Sequence, residues 1–184
     1  MANTFEAPAH GDEYWDILDG NRNKTGGLHK RGDTKPVGVY HLVVHVWILG
    51  SDGKFLLSKR SPHKPYPNLW ECTAGSAIAG DDSITTVLKE AREELGIELE
   101  VSRGELFNSY KHTDEDGSGS FVDVWVFKQD FELSQIVLQE GETSDVMTAS
   151  ANEIRQMTSD GVFIFCGNER YFSYFDDMTE RLAI

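Results

Sequence analysis

Cysteine is scarce: Cys72 and Cys166 are the only two, too few for a disulfide framework, and with no spacing that suggests zinc they are expected to stay reduced. Long apolar runs are missing as well. None approaches the roughly 18–20 residues that a membrane-spanning helix requires, so no membrane partner is expected. The start, MANTFEAPAHGDEYW, has neither the basic opening nor the apolar block of a secretory signal, which leaves the cytoplasm as the expected location. Positive charge is in short supply too. Lys and Arg number 17 against 31 Asp and Glu, a formal charge of −14, which disfavours a sequence-independent grip on nucleic acid. The same field keeps the chain soluble and repels polyphosphates at long range, so a phosphate-ester ligand would need a bound cation or a local basic patch. Internal repeats and low-complexity stretches are absent.

What is present points to a single globular unit. The hydrophobic share is 39%, with four Trp, six Tyr and ten Phe, enough for a sizeable core and too apolar for disorder. YWDILDGNRNKTGGLHKR (14–31) has apolar ends around a polar, Gly- and Asn-containing middle and reads as a β-hairpin. YHLVVHVWIL (40–49) reads as a central strand buried on both faces. The turn GSDG then leads to KFLLSKR as its hairpin partner, followed by SPHKPYPN, a loop in which the prolines exclude regular structure. A short strand is expected within 69–74. Further on, GIELEVSRGELFNSYKH reads as a strand or two, TDEDGSGS as a turn and FVDVWVF as another strand. SANEIRQM has helical spacing, and Tyr171, Phe172, Phe175, Met178 and Leu182 recur at helical steps near the C-terminus. Mixed strands with a few helices make an α/β or α+β arrangement.

The most informative stretch is GSAIAGDDSITTVLKEAREELGI (75–97). Asp82 or Ser83 can cap a helix, Asp81 and Asp82 suit its positive end, and Gly96 can stop it, so the expected helix runs from about Ser83 to Leu95. At 100° per residue, Ile84, Val87, Leu88, Ala91 and Leu95 form an apolar stripe, while Glu90, Glu93 and Glu94 share a neighbouring sector. Three like charges at these spacings repel by a few tenths of a kcal/mol per pair. Taken alone, they read most simply as a solvated acidic face balanced by Lys89 and Arg92. A set of carboxylate oxygens otherwise suits a hard dication such as Mg²⁺ or Mn²⁺ far better than zinc.

The Gly-rich entry to the helix shifts the balance toward the second reading. Gly75, Asp81 and Lys89-Glu90-Ala91-Arg92-Glu93-Glu94-Leu95-Gly96-Ile97 together resemble the Nudix box, G-x5-E-x7-R-E-U-x-E-E-x-G-U, where U is aliphatic. Asp81 stands for Glu and Lys89 for Arg, both with charge kept, and Ala91 fills an aliphatic slot. The resemblance implies a Nudix-type α/β/α sandwich with a mixed sheet, spanning 40–184, with residues 1–39 forming an N-terminal arm that carries the hairpin and a helix closing the chain. It implies hydrolysis of a diphosphate linked to a nucleoside or similar moiety. Glu90, Glu93, Glu94 and the Gly75 carbonyl would hold Mg²⁺ or Mn²⁺, and Asp81, Lys89 and Gly96 would be structural. Glu93 is a candidate base, with Glu140 and Glu142 of QEGETSD as rivals from a later loop. Lys59 and Arg60, at a strand end beside the box, are preferred as substrate-binding cations over His63 and Lys64, which read as loop charges. His41 and His45 share a strand face and are expected in the core.

The N-terminal WDILDGNRNKTGGLHKRGD before YHLVVHVWIL is also similar to isopentenyl-diphosphate isomerase-like Nudix proteins. An isomerase needs a cysteine and a histidine around the start of the box. ECTAGSA has Cys72 a few residues early and no histidine, so the expectation is an isomerase-like hydrolase. A nucleotide-sensing module without activity is a third reading, disfavoured by the three retained glutamates. Family habit further implies a homodimer through the N-terminal hairpin or the last helix.

Overall fold

A computed structural model describes residues 13–164 and 169–184, with the side chains of 169–173 left aside. Cys166 lies outside the described residues, as do the side chains of Tyr171 and Phe172. Among the described residues, nine strands form one mixed sheet: β1 (Tyr14–Leu18), β2 (Lys24–Lys30), β3 (Tyr40–Leu49), β4 (Phe55–Arg60), β5 (Trp70–Glu71), β6 (Thr73–Ser76), β7 (Gly104–Thr113), β8 (Gly119–Lys128) and β9 (Thr143–Ala149). Three α-helices accompany them among the described residues: α1 (Ser83–Leu95), α2 (Ala151–Ser159) and α3 (Glu169–Leu182). None of the described helices is long and apolar enough to cross a membrane.

β3 is the spine. One edge pairs in parallel with β8 through ten consecutive residues, from Tyr40↔Gly119 to Leu49↔Lys128. The other edge is divided among β1 at Tyr40, β6 at Val43–Val46 and β4 at Ile48 and Leu49. Such a strand must be apolar on both faces. Val44, Val46 and Ile48 point to one side, where they meet Val87, Ala91 and Leu95 of α1. Trp47 and Leu49 point to the other, where Ile154 of α2 and Phe175 and Met178 of α3 cover them. The strand periodicity of two thus builds a helix–sheet–helix sandwich from one run of residues. The N-terminal hairpin continues the same sheet, β1 pairing with both β2 and β3.

Two segments depart from the expectations. Strand character is absent from Gly96–Glu100; a short 3-10 turn at Val101–Arg103 precedes β7, and the apolar side chain of Leu99 packs beneath α1 instead. β9, TSDVMTA, was not expected as a strand, because its polar residues give no clear alternation. It forms by pairing antiparallel to β4 from Phe55↔Ala149 to Arg60↔Thr143. This pairing carries Glu142 to the end of β4, where Ser61 N–H donates to its backbone carbonyl at 2.9 Å.

Candidate active site

The site is assembled where β6 turns into α1. Asp82 caps the helix, its carboxylate accepting from Thr85 N–H at 2.9 Å, and Gly96 ends it in the left-handed region at φ 68°. Asp81 and Lys89 form an ion pair at 2.6 Å that ties the loop to the helix. On the side away from the core, Glu90, Glu93 and Glu94 face a cleft of about 80 Å³ whose lining also includes Gly75, Ser76, Glu13, Arg31, Lys64 and Glu142.

Gly75 has a steric reason to be glycine. A Cβ at this position would collide with the Glu90 carboxylate, which lies directly over the bare backbone. Burial, reinforced by the charge of Glu93, raises the Glu90 pKa to about 7. Glu94 is more enclosed, 4% exposed, and burial raises its pKa to about 8 against the opposing pull of Lys64. Its Oε2 has no hydrogen-bond partner among the described residues. An orphaned carboxylate oxygen in the interior costs on the order of 1–3 kcal/mol unless something cationic meets it. Glu93 is the exposed member of the trio.

The positive charge in the cleft comes from Lys64, which the sequence ranks below Lys59 and Arg60 as a loop charge, and from Arg31, which the sequence does not single out. Lys64 Nζ sits 2.6 Å from Glu142 Oε2 and 3.4 Å from Glu94 Oε1. Burial alone would lower the Lys64 pKa; Glu94, Glu142 and Glu71 outweigh it and raise it. Arg31, from the end of the N-terminal hairpin, pairs with Glu13 at 2.7 Å. The two preferred cations are not in the cleft lining. Arg60 Nη1 turns back to Glu71 at 2.7 Å and its Nε donates to Pro65 O at 2.7 Å, while Lys59 lies 5.5 Å from the centre of the Trp70 ring. The reason is strand alternation and local charge: Glu71, 3% exposed, demands a partner, and Arg60 lies on β4 two residues beyond Ser58, which pairs with Glu71, so its side chain reaches the buried acid. Glu71 gave no sequence signal beyond being a lone carboxylate in an apolar stretch. Glu140 is not part of the cleft lining, whereas Glu142 is.

His41 and His45 are packing residues. His41 stacks on Trp15 at 4.2 Å between centroids, its Nδ1–H donates to Gly119 O at 3.1 Å, and burial lowers its pKa to about 4. His45 is buried beside Tyr174, with its pKa lowered to about 3 by burial. Cys72 is sealed in the core among Val124, Phe163 and their neighbours, and burial lifts its thiol well above the ordinary range. It cannot present a thiolate to the cleft, where Ala74 and Ser76 stand.

Among the described residues, no three His, Cys, Asp or Glu side chains are already gathered tightly enough to hold a metal ion as they stand. The donor chemistry nonetheless fits a hard dication: the cleft is rich in carboxylate oxygens and its lining has no His or Cys, one carboxylate oxygen is buried and unpartnered, and a glycine leaves room for another carboxylate.

The NUDIX domain family pattern matches residues 39–163. The chain belongs to the Nudix family. It is 38% identical over 154 residues to an uncharacterised Nudix hydrolase of Listeria monocytogenes, covering 83% of this chain and 88% of that one. It is also 24% identical over 161 residues to an isopentenyl-diphosphate Delta-isomerase of Salmonella heidelberg, covering 86% and 78% of the two chains. Among solved structures, a protein from Deinococcus radiodurans superposes with a TM-score of 0.68 at 20% identity, covering 82% of this chain and 91% of that one. The NUDIX domain of Shewanella oneidensis NrtR, complexed with ADP ribose, superposes with a TM-score of 0.59 at 17% identity, covering 83% and 92%. The sequence match and the fold therefore place the chain in the Nudix hydrolase family.

Proposed function

We propose that the protein is a divalent-cation-dependent hydrolase that cleaves the diphosphate linkage of a nucleoside diphosphate derivative or a similar organic pyrophosphate. The observation that carries this reading is the buried, unpartnered Glu94 Oε2 in a cleft shared with Glu90, Glu93 and Gly75. Nudix hydrolases as a class use divalent metals, and here Glu90, Glu93, Glu94 and the Gly75 carbonyl would hold Mg²⁺ or Mn²⁺. When bound, the ion supplies positive charge for the diphosphate and lowers the pKa of the attacking water. Lys64 and Arg31 add the local positive field that a polyphosphate needs against a net charge of −14. Glu93, exposed at the cleft, takes the proton from water in this scheme. Glu142 is engaged with Lys64 and orients it. The Shewanella domain of like fold binds ADP ribose, itself a diphosphate diester, which supports the substrate class.

Isomerisation is the weaker reading despite the Salmonella relative, because Cys72 is enclosed and the cleft holds neither a cysteine nor a histidine. The test is incubation with Mg²⁺ and a panel of nucleoside di- and triphosphates, dinucleoside polyphosphates, ADP ribose, nucleotide sugars and isopentenyl diphosphate. Release of phosphate or nucleotide is expected, and Glu93→Gln should lower kcat by about a thousandfold with the fold intact. An isomerised product, tight binding without turnover, or full activity of Glu93→Gln would each overturn the proposal.

A further inference from the structure

Five carboxylates, Glu13, Glu90, Glu93, Glu94 and Glu142, line the cleft against two cations, Arg31 and Lys64. The cations are placed differently. Arg31 is 41% exposed and sits on a rim carboxylate, Glu13, whereas the Lys64 side chain is 15% exposed and its ammonium lies between two enclosed carboxylates. Its two contacts are unequal. The 2.6 Å pair with Glu142 is a strong charge-assisted hydrogen bond, while the 3.4 Å pair with Glu94 is near the limit of one and leaves Glu94 Oε2 with nothing. Lys64 therefore neutralises the acidic cluster only in part. It also sits on the irregular segment between β4 and β5, where Tyr66 and Asn68 adopt positive φ of 55° and 62°. A lysine is a point charge on a flexible four-carbon stem, so its ammonium can change partners without any movement of the strands.

We propose that Lys64 is a resident counter-ion: it holds Glu94 and Glu142 together until a divalent cation takes over Glu94, and the released ammonium then pairs with a phosphate oxygen of the substrate. This rests on the functional reading above and adds to it a residue that couples cation uptake to substrate binding. Glu94 has the unfilled acceptor that a dication wants, and Lys64 has a second home only once phosphate arrives. The cost of buried unpaired charge is reduced by Lys64 in the resting state and further by the dication once it is bound.

The experiment compares wild type, Lys64→Met and Lys64→Arg in Mn²⁺ binding and thermal unfolding at pH 8.5, where protons compete least for the carboxylates. Lys64→Met should bind Mn²⁺ about tenfold more tightly than wild type, since no charge a few ångströms from the carboxylates has to be displaced. It should unfold at a lower temperature in chelator, and saturating Mn²⁺ should close that gap. Lys64→Arg, which keeps the charge, should stay close to wild type in Mn²⁺ affinity. With substrate, Lys64→Met should show a KM about tenfold higher, because its phosphate contact is lost. In lysine-labelled wild type, the Lys64 ammonium resonance should move on addition of diamagnetic Mg²⁺, a readout that does not depend on any variant folding. Unchanged or weaker Mn²⁺ binding by Lys64→Met, an unfolding gap that Mn²⁺ leaves open, a stationary Lys64 resonance, or no Mn²⁺ uptake by wild type at millimolar concentration would each overturn the proposal. Absence of hydrolysis with these binding results intact would sink the enzymatic reading and leave the counter-ion role standing. An active hydrolase whose Mn²⁺ affinity ignores Lys64 would do the reverse.

Discussion

Two buried carboxylates, Asp123 on β8 and Glu94 on α1, have opposite chemistries. Asp123 is 1% exposed and fully engaged: Arg22 donates to both its oxygens, at 2.8 and 2.5 Å, and Ser109 Oγ donates at 2.7 Å. Burial would raise its pKa, but the hydrogen bonds of Arg22, Ser83 and Ser109 outweigh it and the pKa is lowered. Glu94, 4% exposed, has one distant lysine and one oxygen with nothing, and its pKa is raised to about 8. Similar surface exposure gives a cross-link in one place and a ligand-ready group in the other. Glu94 lies deeper than Asp123, and completeness of hydrogen bonding adds to that difference in separating the two carboxylates.

The comparison breaks if the two respond alike to substitution. Glu94→Gln should lower kcat by about three orders of magnitude while leaving the unfolding temperature in chelator at pH 8 unchanged or higher, because it removes a charge that the interior does not satisfy. Asp123→Ala should do the opposite. It strands Arg22 and Ser109 and should destabilise the fold by about 2 kcal/mol, below the usual range for a broken buried pair because the 36%-exposed Arg22 can rehydrate, with activity per folded molecule retained. Denaturant unfolding beside steady-state kinetics checks both.

A finer test uses pH. The folded pKa values of Glu90 and Glu94, about 7 and about 8, lie above the ordinary 4.5, so between these limits the folded state binds more protons than the unfolded state and stability falls as pH rises. His41 and His45, lowered to about 4 and about 3 from 6.5, act in the other direction: the unfolded state protonates first, and stability is lost as pH falls below 6.5. Asp123 adds to that acid loss below its ordinary 3.8. In chelator, the unfolding temperature should therefore decline by a few degrees from pH 6.5 to 8.5. Saturating Mg²⁺ or Glu94→Gln should flatten the decline. A slope that neither change alters would assign it to other groups.

Much of this architecture could be read from the residues in order. The box helix carries local signals at both ends, Asp82 and Gly96, and a clear apolar stripe, so its limits Ser83–Leu95 match the expectation. The β3 strand and both flanking hairpins were legible for the same reason: alternation and turn chemistry act over a few residues. What escaped depends on distant partners. β9 is a strand only because β4 lies beside it, and Glu142 reaches the cleft by that pairing. Arg60 is claimed by Glu71 across a sheet pairing, whereas Lys64, in a proline-bearing loop that reads as solvated, is folded back onto the carboxylates. Charge alone could not rank these neighbours, since the ranking is set by which buried acid each one faces.

The contact between Glu90 and the bare backbone of Gly75 also has a practical use. Gly75 is not in the left-handed region, so alanine would suit the strand, and the nearest atoms to the added methyl belong to the end of a flexible side chain, that of Glu90. A Gly75→Ala chain would thus keep the proposed phosphate contacts, Lys64 and Arg31, while pushing one inner carboxylate aside. That is the form to crystallise with an uncleaved molecule in place, turning a single hydrogen-to-methyl exchange into a snapshot of what the enzyme takes in.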